Sequence, residues 1–435
     1  VTERAPLLVL CPDYASHLLP LLTLATAWRD AGERVVVATG PATAGIVESF
    51  GFERVNLQLG KGSNPGVIRA EEQPKGEDDA LRGFFDATRR GMVPTLAYQA
   101  EARLSDFLWE PVRIGREVQA VVASVAPSAI IVDHLAFSAR LALTAAGIAH
   151  ADVVVGHPSA LPLPGEVYGY PPAWPAAFRP SEEELADLRE LCERVSESFT
   201  AEWNAALAEL NPDAEPSRSA FEEHGDVLLY NYPQELSERE GVFLGSAVRE
   251  EAPDAEVEAW LASSDDPFIY VSFGSFLSVR SDVLARVAAA LRKRGLRAAI
   301  ALGSAGSLGD LPDGWLVREF LPQVRLLSTA AAAVTHGGNN SVTEALTAGV
   351  PMLVLPFSTD QFAGAAALEA HGFGVALAPN EATVDELADA LDRVLALPES
   401  TLADDLRQRP GSSRAFAALS VTSSSIAEES PETAR

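Results

Sequence analysis

The sequence predicts an α/β fold made of two doubly wound domains that face a central cleft. Three observations carry this. Short apolar runs alternate with stretches of helical spacing in both halves of the chain. The alternation breaks once, in a Glu-rich segment. Polar, glycine-containing turns follow apolar strands in the second half, and ligands sit beyond the carboxyl ends of strands in open parallel sheets.

In order, Pro6 to Cys11 reads as a buried strand, Leu18 to Ala31 as a helix stopped by Gly32, and Arg34 to Thr39 as a second strand. Ala129 to Val132, Ser138 to Ala146 and Asp152 to Val155 repeat strand, helix and strand, and Val227 to Tyr230 closes this half. The pattern restarts with Phe268 to Phe273, the helix Ser281 to Arg294, and strands at Arg297 to Leu302, Leu316 to Phe320, Ala330 to Thr335, Met352 to Leu355 and Val375 to Ala378. Val384 to Leu397 is an amphipathic helix. The expected organisation is a first domain over 1–236, a linker over 237–258, a second domain over 259–410, and a short helix with a disordered tail over 411–435. Asn56 to Asp79 reads as a polar loop. His157 to Pro180, rich in Pro and aromatics, reads either as an aromatic wall over the cleft or as a stiff connection.

Composition narrows the function. The 435 residues carry 33 Lys+Arg against 61 Asp+Glu, a net charge of −28, which argues against nucleic acid and anionic membrane partners. An anionic ligand must therefore be attracted locally. Two cysteines, Cys11 and Cys192, give neither a disulfide framework nor a cysteine-rich zinc site, so a cytoplasmic setting is expected. The first residues lack a signal-type segment, and no apolar run of about 20 residues predicts a membrane span. Oligomeric state is not encoded in any visible feature.

The richest segment runs from His336-Gly337-Gly338-Asn339-Asn340-Ser341 to Glu344, followed by Asp360-Gln361. Ser341 with Glu344 reads as a capping box, and a helix start of this kind is an anion site without a metal; capping alone would also account for the pair. Together with Phe320-Leu321-Pro322-Gln323, the order aromatic-x-Pro-Gln, His-x-Gly-x-Asn-Ser-x-x-Glu, Asp-Gln resembles the donor-binding signature of family 1 glycosyltransferases, UDP-glycosyltransferase-like enzymes of GT-B fold with two Rossmann-like domains. Phe320 and Asn339 stand where the family's plant members usually carry Trp, and the gap from Gln323 to His336 is two residues shorter than theirs. The Arg- and Ala-rich composition resembles that of a high-GC bacterial genome, and the family resemblance is to the bacterial natural-product type.

The resemblance implies roles for particular residues. His17, in His-x-x-Pro with Pro20, matches the family's general base, and Asp133 matches its orienting carboxylate. Ser275, His336 and Ser341 would face the phosphates, Phe320 the base, Gln323 and Glu344 the ribose, and Asp360 and Gln361 the sugar, with Leu321, Gly338, Asn339 and Asn340 also in the donor site. Phe84, Phe85, Phe137, Tyr168 and Trp174 are candidates for an apolar acceptor site. The implied reaction is an inverting, metal-independent transfer of a hexose, from UDP-glucose or a dTDP-sugar, to a hydroxyl of a small apolar natural product. No other cofactor is called for. A UDP-sugar epimerase of the same fold and a non-catalytic glycosyltransferase partner are the competing readings.

Overall fold

The computed structural model describes residues 5–66, 77–106, 108–398, 400 and 402–428. Two all-parallel sheets organise them. The first contains β1 (Leu7–Leu10), β2 (Val35–Thr39), β3 (Glu53–Asn56), β4 (Ala129–Asp133), β5 (Ala151–Val154), β6 (Val227–Tyr230) and β7 (Val242–Phe243), in the order β3-β2-β1-β4-β5-β6-β7. The second contains β8 (Phe268–Ser272), β9 (Arg297–Ala301), β10 (Leu316–Arg318), β11 (Ala332–Thr335), β12 (Met352–Val354) and β13 (Gly374–Ala376), in the order β10-β9-β8-β11-β12-β13. Most strands are apolar along their whole length because helices cover both faces of a parallel sheet.

Strand order reverses between β1 and β4 in one sheet and between β8 and β11 in the other. At each reversal successive crossover helices leave to opposite faces, which opens a crevice at the strands' carboxyl ends. Leu10 pairs with Val132 and Ser272 with Thr335 at those ends. The residues just beyond, His17, Asp133 and His336, are thereby brought to the cleft.

The structure departs from the sequence reading in several places. The first helix starts at Ala15, not Leu18, so His17 lies in its first turn. β7 extends the first sheet into the stretch expected to be a linker. Helices Glu77–Arg90, Met92–Asp106 and Pro111–Val125 occupy a region the sequence reading left unassigned, and Glu182–Leu210 is a single long helix with a Ser181–Glu184 capping box. Of the expected loop Asn56 to Asp79, Asn56 ends β3, Glu77 starts a helix, and 67–76 lie outside the described residues. The last helix, Gly411–Glu428, runs through much of the tail expected to be disordered; 429–435 lie outside the described residues. It returns to the first lobe, where Phe416 meets Trp28 edge-on with centroids 5.0 Å apart. Among the described residues no helix is long and apolar enough to cross a membrane, and both cysteines are buried and free.

Candidate active site at the interlobe cleft

His17 and Asp133 come together from different elements. His17 Nδ1 lies 2.9 Å from Asp133 Oδ2, and Asp133 is fully buried at the end of β4. The Leu135 amide donates to Asp133 Oδ1 at 2.8 Å, which fixes the carboxylate plane. A carboxylate can only accept, so Nδ1 carries the proton and Nε2 is left as the basic nitrogen. Burial pulls the His17 imidazole down, but the charge and hydrogen bond of Asp133 outweigh it, and its pKa is raised above 6.5. Burial in turn pushes Asp133 up, and the neighbouring imidazoles more than reverse this, leaving it below the ordinary carboxylate value.

His134 stacks on His17 with centroids 5.6 Å apart. Burial lowers it to about 4, so it stays neutral, and its Nδ1 accepts from the Val155 amide at 3.4 Å. His17, Asp133 and His134 are also the one group among the described residues whose potential metal-ligand atoms lie within 4.8 Å of one another. The first two are already engaged with each other.

Pro20 explains how the lobes are tied beside this pair. It lies inside the helix Ala15–Asp30 and has no N–H, so the Ser16 carbonyl lacks its partner one turn on. Asn340 Nδ2 of the second lobe donates to that carbonyl at 2.9 Å. Asn339 Nδ2 donates to the Val155 and Asn231 carbonyls, each at 2.9 Å. Asp360 Oδ2 accepts from the His157 amide at 2.5 Å, and the Thr359 amide donates to Gln99 Oε1 at 3.2 Å.

The helix Asn339–Ala348 opens after β11 with Gly338 as its N-cap and no side-chain cap. This corrects the expected capping box. Ser341 is the third residue of the helix, and Glu344 is buried one turn further in, where Arg249 and Gln323 hold it. The first amides of such a helix have no intrahelical acceptor and remain an anion site. A Cβ on Gly338 would stand 2.3 Å from His336 Nε2, so only glycine lets the helix start close over the imidazole. Desolvation lowers His336 to about 4, which makes it a neutral ring and not a cation.

Gln323 Nε2 donates to Glu344 Oε2 at 2.5 Å, and Arg249 pairs with Glu344 and, at 2.7 Å, with Glu251. Burial raises the Glu344 pKa, with Arg249 and Gln323 opposing it. Arg249 was invisible to sequence reasoning: it falls in the expected linker, and its partner is 95 residues away.

A cavity of about 650 Å³ joins these groups. His17, Phe320, Leu321, Gln323, His336, Gly338, Asn339, Asn340, Ser341, Asp360 and Gln361 all line it, as do Arg249 and Tyr270. Phe320 is 56% exposed. Gln361 is largely internal: its Oε1 accepts from the Phe357 and Ser358 amides. The side chain of Ser275 lies outside the described residues.

The candidate acceptor aromatics divide. Tyr168 lines the cavity. Phe84 and Phe85 instead pack on Phe276, at 5.1 and 5.6 Å, within the core of the second lobe. Phe137 is buried against Phe199 and Phe221, and Trp174 packs beside the cluster of Met92, Leu96 and Cys192. Each is apolar enough to be drawn inward, and composition alone does not separate a core ring from a wall ring.

Two doubly wound lobes with a cleft between their switch points define the GT-B class of α/β proteins. Solved structures agree across the chain: the Spinosyn Forosaminyltransferase SpnP aligns with a TM-score of 0.67 at 18% identity, over 98% of this chain and 100% of that one. The glycosyltransferase VinC in complex with DTDP gives 0.62 at 20%, over 96% and 100%. At these identities the likeness establishes the fold. Residues 226–400 match the family described as UDP-glucoronosyl and UDP-glucosyl transferase. Among curated relatives, the NDP-glycosyltransferase YjiC of Bacillus subtilis is 30% identical over 173 residues, 38% of this chain and 44% of the relative. Glycosyltransferase GtfC of Amycolatopsis orientalis is 39% identical over 149 residues, 34% and 36% of the two chains. The chain thus spans less than half the length of the curated relatives it matches.

Proposed function

We propose that the protein transfers a hexose from a nucleoside-diphosphate sugar to a hydroxyl of a small, largely apolar acceptor, with inversion at the anomeric carbon and without a metal. The observation that carries the reading is the His17–Asp133 hydrogen bond of 2.9 Å at the edge of the cavity that also holds Phe320, His336 and Asp360. The acceptor O–H attacks the anomeric carbon on the face opposite the diphosphate. Its proton passes to His17 Nε2, and Asp133 stabilises the imidazolium that forms. The C–O bond to the diphosphate breaks, and the leaving anion is received by the helix start at Asn339 and by neutral His336 as a hydrogen-bond donor. Phe320 stacks on the base, and Asp360 faces the sugar, with Gln361 bracing the loop that carries it through its bonds to Phe357 and Ser358.

The donor is UDP-glucose on the strength of the Asp360-Gln361 pair, which suits a sugar rich in hydroxyls. One observation favours a dTDP-sugar as a second reading: both Glu344 oxygens are engaged, by Arg249 and by Gln323, so a ribose 2′-hydroxyl would have to compete for them. The epimerase and partner-protein readings lose support because a paired base lies beside the first lobe's apolar wall and the donor-facing set is intact.

The test is a mass-spectrometric screen of UDP- and dTDP-sugars against a panel of hydroxylated aglycones, with and without EDTA. Glycoside formation that survives EDTA is expected. Epimerised nucleotide sugar without a glycoside, or transfer abolished by EDTA and restored by a divalent ion, would overturn the proposal.

A further inference from the structure

The turn Ser358-Thr359-Asp360, which opens the helix Gln361–Ala370, is held from both lobes. On the near side, Gln361 Oε1 accepts from the Phe357 and Ser358 amides at 3.0 and 3.2 Å. The next amide, that of Thr359, donates across the cleft to Gln99 Oε1 of the first lobe at 3.2 Å. Thr359 sits at φ +51°, a left-handed conformation that a β-branched residue rarely adopts. It is exposed, so packing does not impose that conformation. Thr359 Oγ1 donates to Asp360 Oδ1 at 2.9 Å, and the His157 amide of the first lobe donates to Asp360 Oδ2 at 2.5 Å. Each carboxylate oxygen keeps a second lone pair, and Asp360 lines the cavity. Gln99 is firmly placed. Its helix, Met92–Asp106, buries Met92, Leu96 and Ala100 in a cluster with Cys192 and Val195. Phe362 of the second lobe is buried in the same cluster, with Phe178 edge-on at 5.2 Å. This joint lies three residues beyond Thr359 on one side and within one helical turn of Gln99 on the other.

We propose that Gln99 is a positioning residue for the donor sugar: it holds Thr359 in the left-handed conformation, and that conformation aims the Asp360 carboxylate at the sugar. The inference rests on the reading that Asp360 faces the sugar, and it adds that the opposite lobe sets the geometry of that contact. The bonds of Gln361 reach only Phe357 and Ser358 and do not constrain the Thr359 peptide. The His157 amide holds the carboxylate itself and does not touch the Thr359 backbone. Among the described residues, the Gln99 carbonyl oxygen alone meets the Thr359 N–H. Without it a threonine relaxes toward negative φ, the region its branched Cβ favours. Asp360 is the next residue, so a change of φ at Thr359 re-aims its carboxylate. The sugar site is therefore complete only when the lobes meet. The nucleoside diphosphate, held by groups of the second lobe, does not need Gln99; recognition of the sugar does.

The test measures binding calorimetrically for UDP-glucose against UDP and for dTDP-glucose against dTDP. The readout is the affinity of each sugar nucleotide relative to its free nucleotide, which cancels a general loss of nucleotide binding. Gln99→Leu keeps much of the side chain's bulk and removes its acceptor. It should lower the ratio, for whichever pair binds, by about three- to tenfold, the scale of one hydrogen bond. Combining Gln99→Leu with Thr359→Asn should recover most of that loss, because asparagine enters the left-handed region far more readily than threonine. An unchanged ratio in Gln99→Leu overturns the assignment. So does a double variant no better than the single one, which would mean that Gln99 touches the sugar itself. Asp360→Ala separates the two readings. If it lowers the ratio and Gln99→Leu does not, the sugar reading of Asp360 stands and the positioning role falls. If it leaves the ratio unchanged, the reading of Asp360 fails and the positioning role fails with it, as both do if the wild type binds none of the four.

Discussion

Asn340 Nδ2 donates to the Ser16 carbonyl at 2.9 Å, one residue before His17, and the lack of an N–H on Pro20 leaves that carbonyl available. The second lobe thus holds the first turn of the helix that carries the proposed base. Asn339 adds two more bonds across the gap. Replacing both asparagines with alanine removes three interlobe hydrogen bonds, each worth about 1 kcal/mol net. The double variant should populate open arrangements of the lobes, read as a larger radius of gyration by small-angle scattering. An unchanged scattering profile would show that the remaining interlobe contacts, including the His157–Asp360 and Thr359–Gln99 hydrogen bonds, suffice to hold the cleft closed.

Gly156 and Asp360 meet across the same cleft. A Cβ at Gly156 would lie 2.6 Å from Asp360 Oδ2, so Gly156→Ala must displace the carboxylate or the backbone beneath it. Loss of one charged contact to the sugar corresponds to about 10- to 100-fold in donor KM. Steady-state kinetics with varied nucleotide sugar checks this; an unchanged KM would remove Asp360 from sugar recognition.

His17→Ala should lower kcat by about 100-fold or more, the usual scale for a general base, while nucleotide-sugar binding measured calorimetrically is retained. The pH dependence has a definite sign. Protonated His17 cannot accept a proton, so kcat/KM falls as pH drops through its pKa, and Asp133 holds that pKa above 6.5. Asp133→Asn removes the largest raising influence, so the acidic limb should move to lower pH even as the rate falls. A limb that stays in place in Asp133→Asn would assign the titration to another group.

These relationships mark where sequence reasoning stops. The strands other than β3 and β7, their parallel order and the turns that carry His17, Asp133 and His336 were legible because buried parallel strands are apolar throughout and their carboxyl-end turns are polar, whereas β3 is a largely exposed edge strand and β7 has two residues. The helices between Glu77 and Val125 were missed because their apolar positions are diluted by Gly, Thr and charged residues, and much of their burial comes from neighbours distant in sequence. The capping-box reading of Ser341 and Glu344 fits the spacing, but a half-buried arginine from another segment competes for the carboxylate. Spacing registers only local partners, whereas Arg249, Gly156 and Gln99 acquire their positions from the fold.

Arg249 gives a prediction that separates stability from recognition. It pairs with buried Glu344 and with Glu251, and it faces the cavity. Arg249→Met leaves Glu344 buried without its cation, which should cost about 3 kcal/mol, seen as a lower midpoint in urea. Arg249→Met combined with Glu344→Gln removes the stranded charge and should recover much of that loss. Failure of the second change to restore the midpoint would mean the arginine stabilises by packing and not by charge.

Phe320 supplies the opposite case. It is 56% exposed, so it contributes little to the core, and it lines the cavity, where the proposed function has it stack on the base. Stacking of a base on an aromatic side chain is worth about 1–3 kcal/mol, so Phe320→Ala should weaken nucleoside diphosphate binding by about 5- to 150-fold. Thermal stability should change by no more than about 0.5 kcal/mol, the scale of surface substitutions. Phe320→Trp should retain binding, because a larger π surface still covers the base. Calorimetric titration with UDP and dTDP reads all three proteins on the same scale. Equal affinities in wild type and Phe320→Ala would place the base elsewhere in the cleft and break the link between this exposed ring and the donor.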